Sequence, residues 1–598
     1  MKKWKIVNKF PGLDKRSGAG KIKNKKLKIE EILNVLLENR GIKTEKEKEK
    51  FLNPKLSDVT ISSVGIDKKQ LKKAIARINR AIISKEEIVI YGDYDVDGIC
   101  GTAILWETLN DLGAKVLPYI PHRMDEGYGL SKTGIKNLIR QLDGKNCSLI
   151  ITVDNGIVAN DAVDLANREG IDVIITDHHV SAQKLPKAYS FVHTTQVCGA
   201  GVAFLLAQEI NAEVARKNFR VRSAVKSPST RNAGGAKAHN ENFVDSSLGH
   251  LELVALATIA DLVPLKGANR TFVKFGLEEL RKTKRPGLLA IIEETGIDQV
   301  LIGVYEIGHI IAPRLNAMGR LEYAMDSLRL LCTKSKERAK DLAYKLGHTN
   351  RKRQEITLKS FEHARLQITN SKSQIPKLLL IADKSYQQGV IGLIAGKLVE
   401  EFYRPSIVIS KGEIYSKASA RSISGFNIVE FIRSASDLLV DVGGHPMAAG
   451  FTVETINLEL LQKKLEKLAD KILTQDLFVR SLYIDCEFDI NYLNEEFYNV
   501  LQKLAPFGMG NSQPAFVSKN IIIEDMRLVG MDGRHLKLNL KTQISNLKIE
   551  GIGFGMGERS NEIRIGDRID LVYQIEKNEW NGNSKLQLKI KDLRRSIP

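Results

Sequence analysis

Cysteine is scarce and scattered. The five residues, at 100, 147, 198, 332 and 486, are odd in number and include no CxxC pair. That excludes a disulfide framework and a cysteine-based zinc site, and it fits a reducing cytosol. Long apolar runs are missing as well. None approaches the ~18 residues of a membrane span, and the basic N-terminus lacks the roughly 7–15-residue apolar stretch of a secretory signal. The expectation is a soluble cytoplasmic protein with no membrane partner. Acid is in short supply, with 71 Asp and Glu against 90 Lys and Arg, a net charge of +19. That excess favours a polyanionic partner, because neutralised phosphates release counterions; on charge alone, a solvated basic face is the competing account. No repeat of roughly 20–50 residues is found.

What is present suffices for several domains: 598 residues, 43% of them apolar, at roughly 100–200 residues per domain. Residues 1–28 hold eleven Lys or Arg and one acid, Asp14, and read as a flexible basic arm. A helical stretch with apolar positions at Leu71, Ile75 and Ile78 follows. From about 88, short apolar strands (Ile88–Ile90, Val116-Leu117, Leu149–Val153, Val173–Ile175) alternate with helical stretches. That alternation implies a parallel, doubly wound sheet covered on both faces. The stretch 216–242 has seven Lys or Arg against one Glu and reads as a flexible basic insertion. LELVALATIADLVPL (251–265) reads as a buried helix ending near Pro264, and 334–368 as a long charged helix bridging two lobes. A second α/β block covers 376–470. Past 480, short strands around Ile521–Ile523, Leu536–Leu540, Ile569–Ile575 and Leu586–Ile590 read as a small antiparallel barrel. The divisions expected are 1–70 (arm and helical segment), 71–300, 301–372 (connecting helical region), 373–472 and 475–598.

Chemistry concentrates where strands end. YGDYDVDG (91–98) places Asp93, Asp95 and Asp97 just past an apolar strand. Three like charges in five residues repel one another unless a multivalent cation neutralises them; a solvated acidic turn is the alternative. ITVDNG puts Asp154 after the next strand, and IITDHH puts Asp177, His178 and His179 after another. In a parallel sheet the carboxyl ends line one edge, about 4.8 Å apart, which brings such side chains within metal-bridging distance. ADLVPL adds Asp261 at the end of an apolar helix, where a surface Asp would otherwise be the plain reading. An oxygen-rich set with imidazole suits Mg²⁺ or Mn²⁺, and two ions so held can activate water and stabilise a scissile phosphate. For the phosphate itself, Arg123 in PHRMDEGYGL, Arg314 and Arg320 with Asn316 in PRLNAMGR, and Arg421 beside Ser419 in SARS are the candidate clamps. GGHPMAAG (443–450), with His445, reads as a glycine-rich turn that lets backbone approach a ligand closely.

Together these residues resemble a known superfamily. DYDVDG, VDNG, TDHH and ADLVPL look like the four motifs of the DHH phosphoesterases, and SARSISGF and GGHPMAAG look like the associated DHHA1 domain. PRLNAMGRL, GVIGLIAGKL, LAPFGMGNSQPAF and IGFG narrow the resemblance to the bacterial RecJ-type single-stranded-DNA exonucleases, from about residue 50 to 595. The resemblance implies an α/β multidomain protein: a parallel-sheet DHH lobe (71–300), a long connecting helix, an α/β DHHA1 lobe (373–472) and a C-terminal OB-fold barrel (475–598). It implies 5′→3′ degradation of single-stranded DNA to mononucleotides with two Mn²⁺ or Mg²⁺ ions, in recombination and repair. A single-strand-binding protein and a helicase are the implied partners, and the chain is expected to be a monomer.

Carried over by motif, the metal ligands are Asp93, Asp95, Asp97, Asp154, His178 and Asp261, with His179 beside them in the catalytic set. Arg123, Arg314, Asn316, Arg320, Ser419, Arg421 and His445 are the substrate contacts. Three departures stand out. Tyr386-Gln387 replaces the usual Trp-His before GVIG, the stretch FVHTTQVCGAG after DHH is short and lacks Asn-Pro, and the 216–242 insertion is atypical. The rival readings are an oligonucleotide or cyclic-dinucleotide phosphodiesterase, which would not need a C-terminal barrel, and a non-catalytic single-strand-binding scaffold, which would not need all five Asp of the metal set.

Overall fold

A computed structural model describes residues 2–8, 25–123, 125–142, 147–225, 249–371, 374–542, 548–580 and 583–596. The chain divides into two compact units, residues 55–474 and residues 1–54 together with 475–598.

In the larger unit a five-stranded parallel sheet runs in the order Lys115–Tyr119, Glu87–Gly92, Cys147–Val153, Asp172–Asp177, Ser190–His193. Its central strands are runs of Val and Ile because helices cover both faces; Ile88, Val89 and Ile90 are fully buried, as are Leu149, Ile150 and Ile151. Helix Lys68–Ile83 is capped by Asp67, whose carboxylate accepts from the N–H groups of Lys69 and Gln70, and it buries Leu71, Ile75 and Ile78. Helix Leu251–Ala260 is apolar on every side and correspondingly buried among others. It stops at Ala260, short of the expected end near Pro264, because Leu262 turns to a left-handed φ of 57°.

The long helix Lys336–Ser371 carries the chain into a second sheet, ordered Leu439–His445, Ala448–Glu454, Tyr415–Arg421, Ser406–Ser410, Leu379–Asp383. Its first four strands pair antiparallel and the last pair is parallel. GGHPMAAG is therefore more than a turn: it is the tip of a two-stranded hairpin, with His445 opposite Ala448. Its small residues hide the alternation by which a strand is recognised in sequence.

In the smaller unit, Phe516–Val529, His535–Lys541, Lys548–Gly553, Asn583–Arg595 and Arg568–Trp580 pair in that order, and the last closes back on the first. The result is a closed five-stranded barrel. The seam between Lys548–Gly553 and Asn583–Arg595 is parallel, so the barrel is not wholly antiparallel as expected. The N-terminus joins this unit: Lys3–Ile6 pairs with Ser481–Ile484, and Asn39 Nδ2 donates to the Asp485 carbonyl at 3.0 Å. The expected free arm is thus tethered at residues 3–6, while 9–24 lie outside the described residues. The helix Gly199–Val225 enters the 216–242 insertion, of which 226–242 also lie outside them.

A buried ion cluster ties this larger unit together. Arg285 donates to Glu107 at 2.6 and 3.0 Å and to Glu252 at 2.9 Å, and His250 Nε2 lies 2.9 Å from Glu107. Burial alone would raise the Glu107 carboxyl, but His250 and Arg285 outweigh it and hold it at about 2. A depressed acid stabilises the fold above its ordinary range and loses that contribution as pH falls toward the depressed value. Glu107→Ala should cost about 3 kcal/mol at neutral pH by leaving Arg285 under-paired. In thermal melts the gap to wild type should narrow as pH is taken from about 5 toward 2.

Candidate metal centre and phosphate cavity

The acids are aligned because the sheet's hydrogen bonding continues one step past its strands. The Asp93 N–H donates to the Val153 carbonyl at 3.2 Å and the Asp154 N–H to the Thr176 carbonyl at 3.0 Å. Asn155 Nδ2 reaches back to the carbonyls of Tyr91 and Val153. Asp154 takes a left-handed φ of 64°, a conformation Asp tolerates better than most residues. Asp95 caps helix Val96–Asp111, one of its oxygens accepting from the N–H groups of Asp97 and Gly98. Asp97 accepts from the N–H groups of Gly199 and Ala200, both at 2.7 Å, at the start of the helix Gly199–Val225. Gly199 is needed there: a Cβ would lie 2.6 Å from that of Asp154.

These placements converge. Ligand atoms of Asp93, Asp95 and Asp154 lie within 4.8 Å of one another, as do those of Asp97, His178 and Asp261 and those of Asp154, His178 and His179. His178 Nε2 is 3.1 Å from Asp154, 3.6 Å from Asp97 and 3.7 Å from Asp261. All seven residues expected from the sequence thus fall in one cluster.

The electrostatics fit a cation. Asp93 is buried, and among the described residues no side chain donates to its carboxylate, on which only the Tyr94 backbone acts as a donor. Burial, with Asp95 beside it, pushes its carboxyl well above the ordinary range. Burial and the neighbouring acids also raise Asp95 and Asp154, and lift Asp261 to about 8. An oxygen donor set in this state suits a hard divalent ion. Burial lowers His178, leaving a neutral imidazole. Burial works against charge on His179 too, but the 2.8 Å bond from Nδ1 to Asp177 outweighs it and lifts His179 to about 8. Asp177 also accepts from the N–H groups of Ile157, His178 and His179. It orients the pair. Tyr128, not singled out from the sequence, brings its hydroxyl to 3.2 Å from His179 Nε2.

A cavity of about 520 Å³ runs from Asp93 and Asp95 to Arg123, Arg320, Ser419 and Arg421. Arg123 lies over the Tyr94 ring at 5.0 Å. Burial, then Arg123 and Arg353, lowers Arg320 to about 10, and burial lowers Arg421. Asn316 lines the cavity and accepts from the Val96 N–H at 3.1 Å, linking PRLNAMGR to the aspartate loop. Two expected contacts are not brought in. Arg314 is pinned to Glu294 at 2.8 Å, because its helix turns it away toward that acid. His445 sits exposed at the hairpin tip and is not in the cavity lining. At the departure before GVIG, Tyr386 is buried against His363, Gln387 is exposed, and it is Gln388 that lines the cavity.

Comparison with known proteins agrees with this geometry. Residues 87–225 match the DHH family N-terminal domain, 374–471 the DHHA1 domain and 484–592 the RecJ OB domain. The single-stranded-DNA-specific exonuclease RecJ of Bacillus subtilis (strain 168) is 35% identical over 590 residues, 96% of this chain and 70% of that protein. The chain belongs to the RecJ family of single-stranded-DNA-specific exonucleases. RecJ of Escherichia coli (strain K12) is 29% identical over 584 residues, 94% of this chain and 95% of that one. The crystal structure of RecJ from Thermus thermophilus in complex with Mn²⁺ superposes with a TM-score of 0.77 at 26% identity, covering 100% of this chain and 80% of that one. The RecJ fold thus extends over both units.

Since burial and Asp95 outweigh what the Tyr94 backbone, Arg123 and His179 offer an ionised Asp93, Asp93→Asn should raise the melting midpoint of the metal-free protein. Wild type should rise further on adding Mn²⁺, and Asp93→Asn should lose most of that rise. A variant less stable than wild type without ions would show that those partners outweigh burial.

Proposed function

We propose that this chain is a 5′→3′ exonuclease that degrades single-stranded DNA to mononucleotides in recombination and repair. The observation that carries the reading is one cavity lined by Asp93 and Asp95 of the carboxylate–imidazole cluster on one side and by the guanidinium groups of Arg123, Arg320 and Arg421 on another. Asp93, Asp95, Asp97, Asp154, His178 and Asp261 would hold two divalent ions, Mn²⁺ or Mg²⁺. When bound, such ions supply Lewis-acid stabilisation to a phosphodiester and to the water that attacks it. His178, neutral, offers a lone pair at Nε2. His179 keeps its proton on Nδ1 toward Asp177 and presents a positive ring to the reacting phosphate. Arg123, Arg320, Ser419 and Arg421 bind phosphate, with Asn316 bracing the aspartate loop.

The cavity suits one nucleotide, with its 3′ phosphate at the acids and its 5′ phosphate on the arginines. The closed barrel would bind single-stranded DNA, as OB-folds do. Within this reading the domain limits at 71–300, 301–372, 373–472 and 475–598 serve as working boundaries. The chain acts as a cytoplasmic monomer, alongside a single-strand-binding protein and a helicase; among the described residues no helix is long and apolar enough to cross a membrane.

Single strands labelled at the 5′ or the 3′ end, incubated with Mn²⁺, Mg²⁺ or chelator, test the reading. The 5′ label should appear as mononucleotide from the earliest times, with either ion and not with chelator. Asp154→Asn should cut the rate by at least about 100-fold while largely sparing DNA binding. Cleavage at the wild-type rate would refute the assignment of the site.

A further inference from the structure

Three antiparallel strands form a wall of the cavity, and their register sorts its residues into rows. Arg421 stands opposite Ala448, itself opposite His445; Ser419 opposite Gly450 and Gly443; Lys417 opposite Thr452 and Asp441. Alternate residues share a face, so these are three successive rows about 6.7 Å apart. The first two hold the motif residues and offer only donors and a hydroxyl. The third belongs to no motif read from the sequence, yet Lys417, Thr452 and Asp441 all line the cavity. Lys417 Nζ is 2.6 Å from Thr452 Oγ1 and 3.9 Å from Asp441 Oδ2. The cationic wall therefore ends in a row whose positive charge is offset by a carboxylate.

We infer that this third row selects the chemical form of the strand's 5′ end, accepting one terminal phosphate and rejecting a di- or triphosphate. The inference rests on the reading above, which seats the 5′ phosphate on Arg320, Ser419 and Arg421. That seat is tight on its other side. A Cβ on Gly392, at the start of helix Ile391–Phe402, would lie 2.9 Å from Ser419 Oγ and 3.2 Å from the Arg421 guanidinium. A phosphate chain prolonged from the seat must run along the open face over Gly450 and Gly443. There it meets Asp441, whose side chain is 60% exposed. Like charges brought together at a binding site cost affinity and set specificity. An idle surface ion pair would leave end preference untouched, and this difference separates the two accounts.

The test compares kcat/KM on one oligonucleotide sequence carrying a 5′ monophosphate or a 5′ triphosphate, with Mn²⁺ present. Wild type should favour the monophosphate at least about tenfold. Asp441→Asn should narrow that ratio about tenfold, Asp441→Glu should restore it, and Lys417→Gln should widen it. An unchanged ratio in Asp441→Asn, or a wild-type enzyme indifferent to the end group, would overturn the inference. A wild type that degrades neither strand from its 5′ end would instead overturn the exonuclease reading, and this one with it.

Discussion

Buried carboxylates that repel one another set the terms for the larger unit. Asp93, Asp97 and Asp154 are almost wholly buried, and Asp95 stands between the first two. Isolated in an apolar sheet edge, each would protonate or drag water in. The fold does not let them separate: backbone N–H groups of Asp93 and Asp154 are tied into the neighbouring strands, and Asp95 and Asp97 are pinned by helix N-termini. The side chains remain crowded while the backbone N–H groups of Asp93, Val96, Asp97 and Asp154 are each bonded. Such strain persists only where surrounding structure over-determines it, and it is relieved by a cation. The hydrophobic strands, the glycine at 199 and the left-handed Asp154 all serve that crowding.

Much of this was legible in the sequence because it follows from local pattern. Apolar runs such as Leu149–Val153 announce buried parallel strands, and an acid after each one points to a shared edge. Pattern could gather these acids at one edge for that reason, while the resemblance to the DHH motifs marked them, with Asp261, as a ligand set. What was not legible depended on long-range register or on a side chain's choice of partner. Arg314 and Arg320 look equivalent in PRLNAMGR, yet one meets Glu294, twenty residues earlier, and the other the carbonyl of Gly389. GGHPMAAG hid a hairpin because glycine and alanine carry no alternation of polarity. The docking of Lys3–Ile6 beside Ser481–Ile484 joins residues 478 positions apart, which no local signal encodes.

The cavity's two walls show opposite perturbations with one cause. Burial raises Asp93 and Asp95 and lowers Arg320 and Arg421, so each wall disfavours its own charge. Acids and arginines could have neutralised one another by direct pairing. Arg123 does temper Asp93, but among the described residues no ion pair joins the metal-centre acids to Arg123, Arg320 or Arg421. A wall of carboxylates favours divalent cations and a wall of guanidinium groups favours phosphate; a nucleotide phosphate complexed with cations satisfies both together. Direct ion pairs would have made a more stable protein and a poorer receptor. Keeping the two signs apart in one cavity is what lets the stabilisation be drawn from the substrate rather than from the fold.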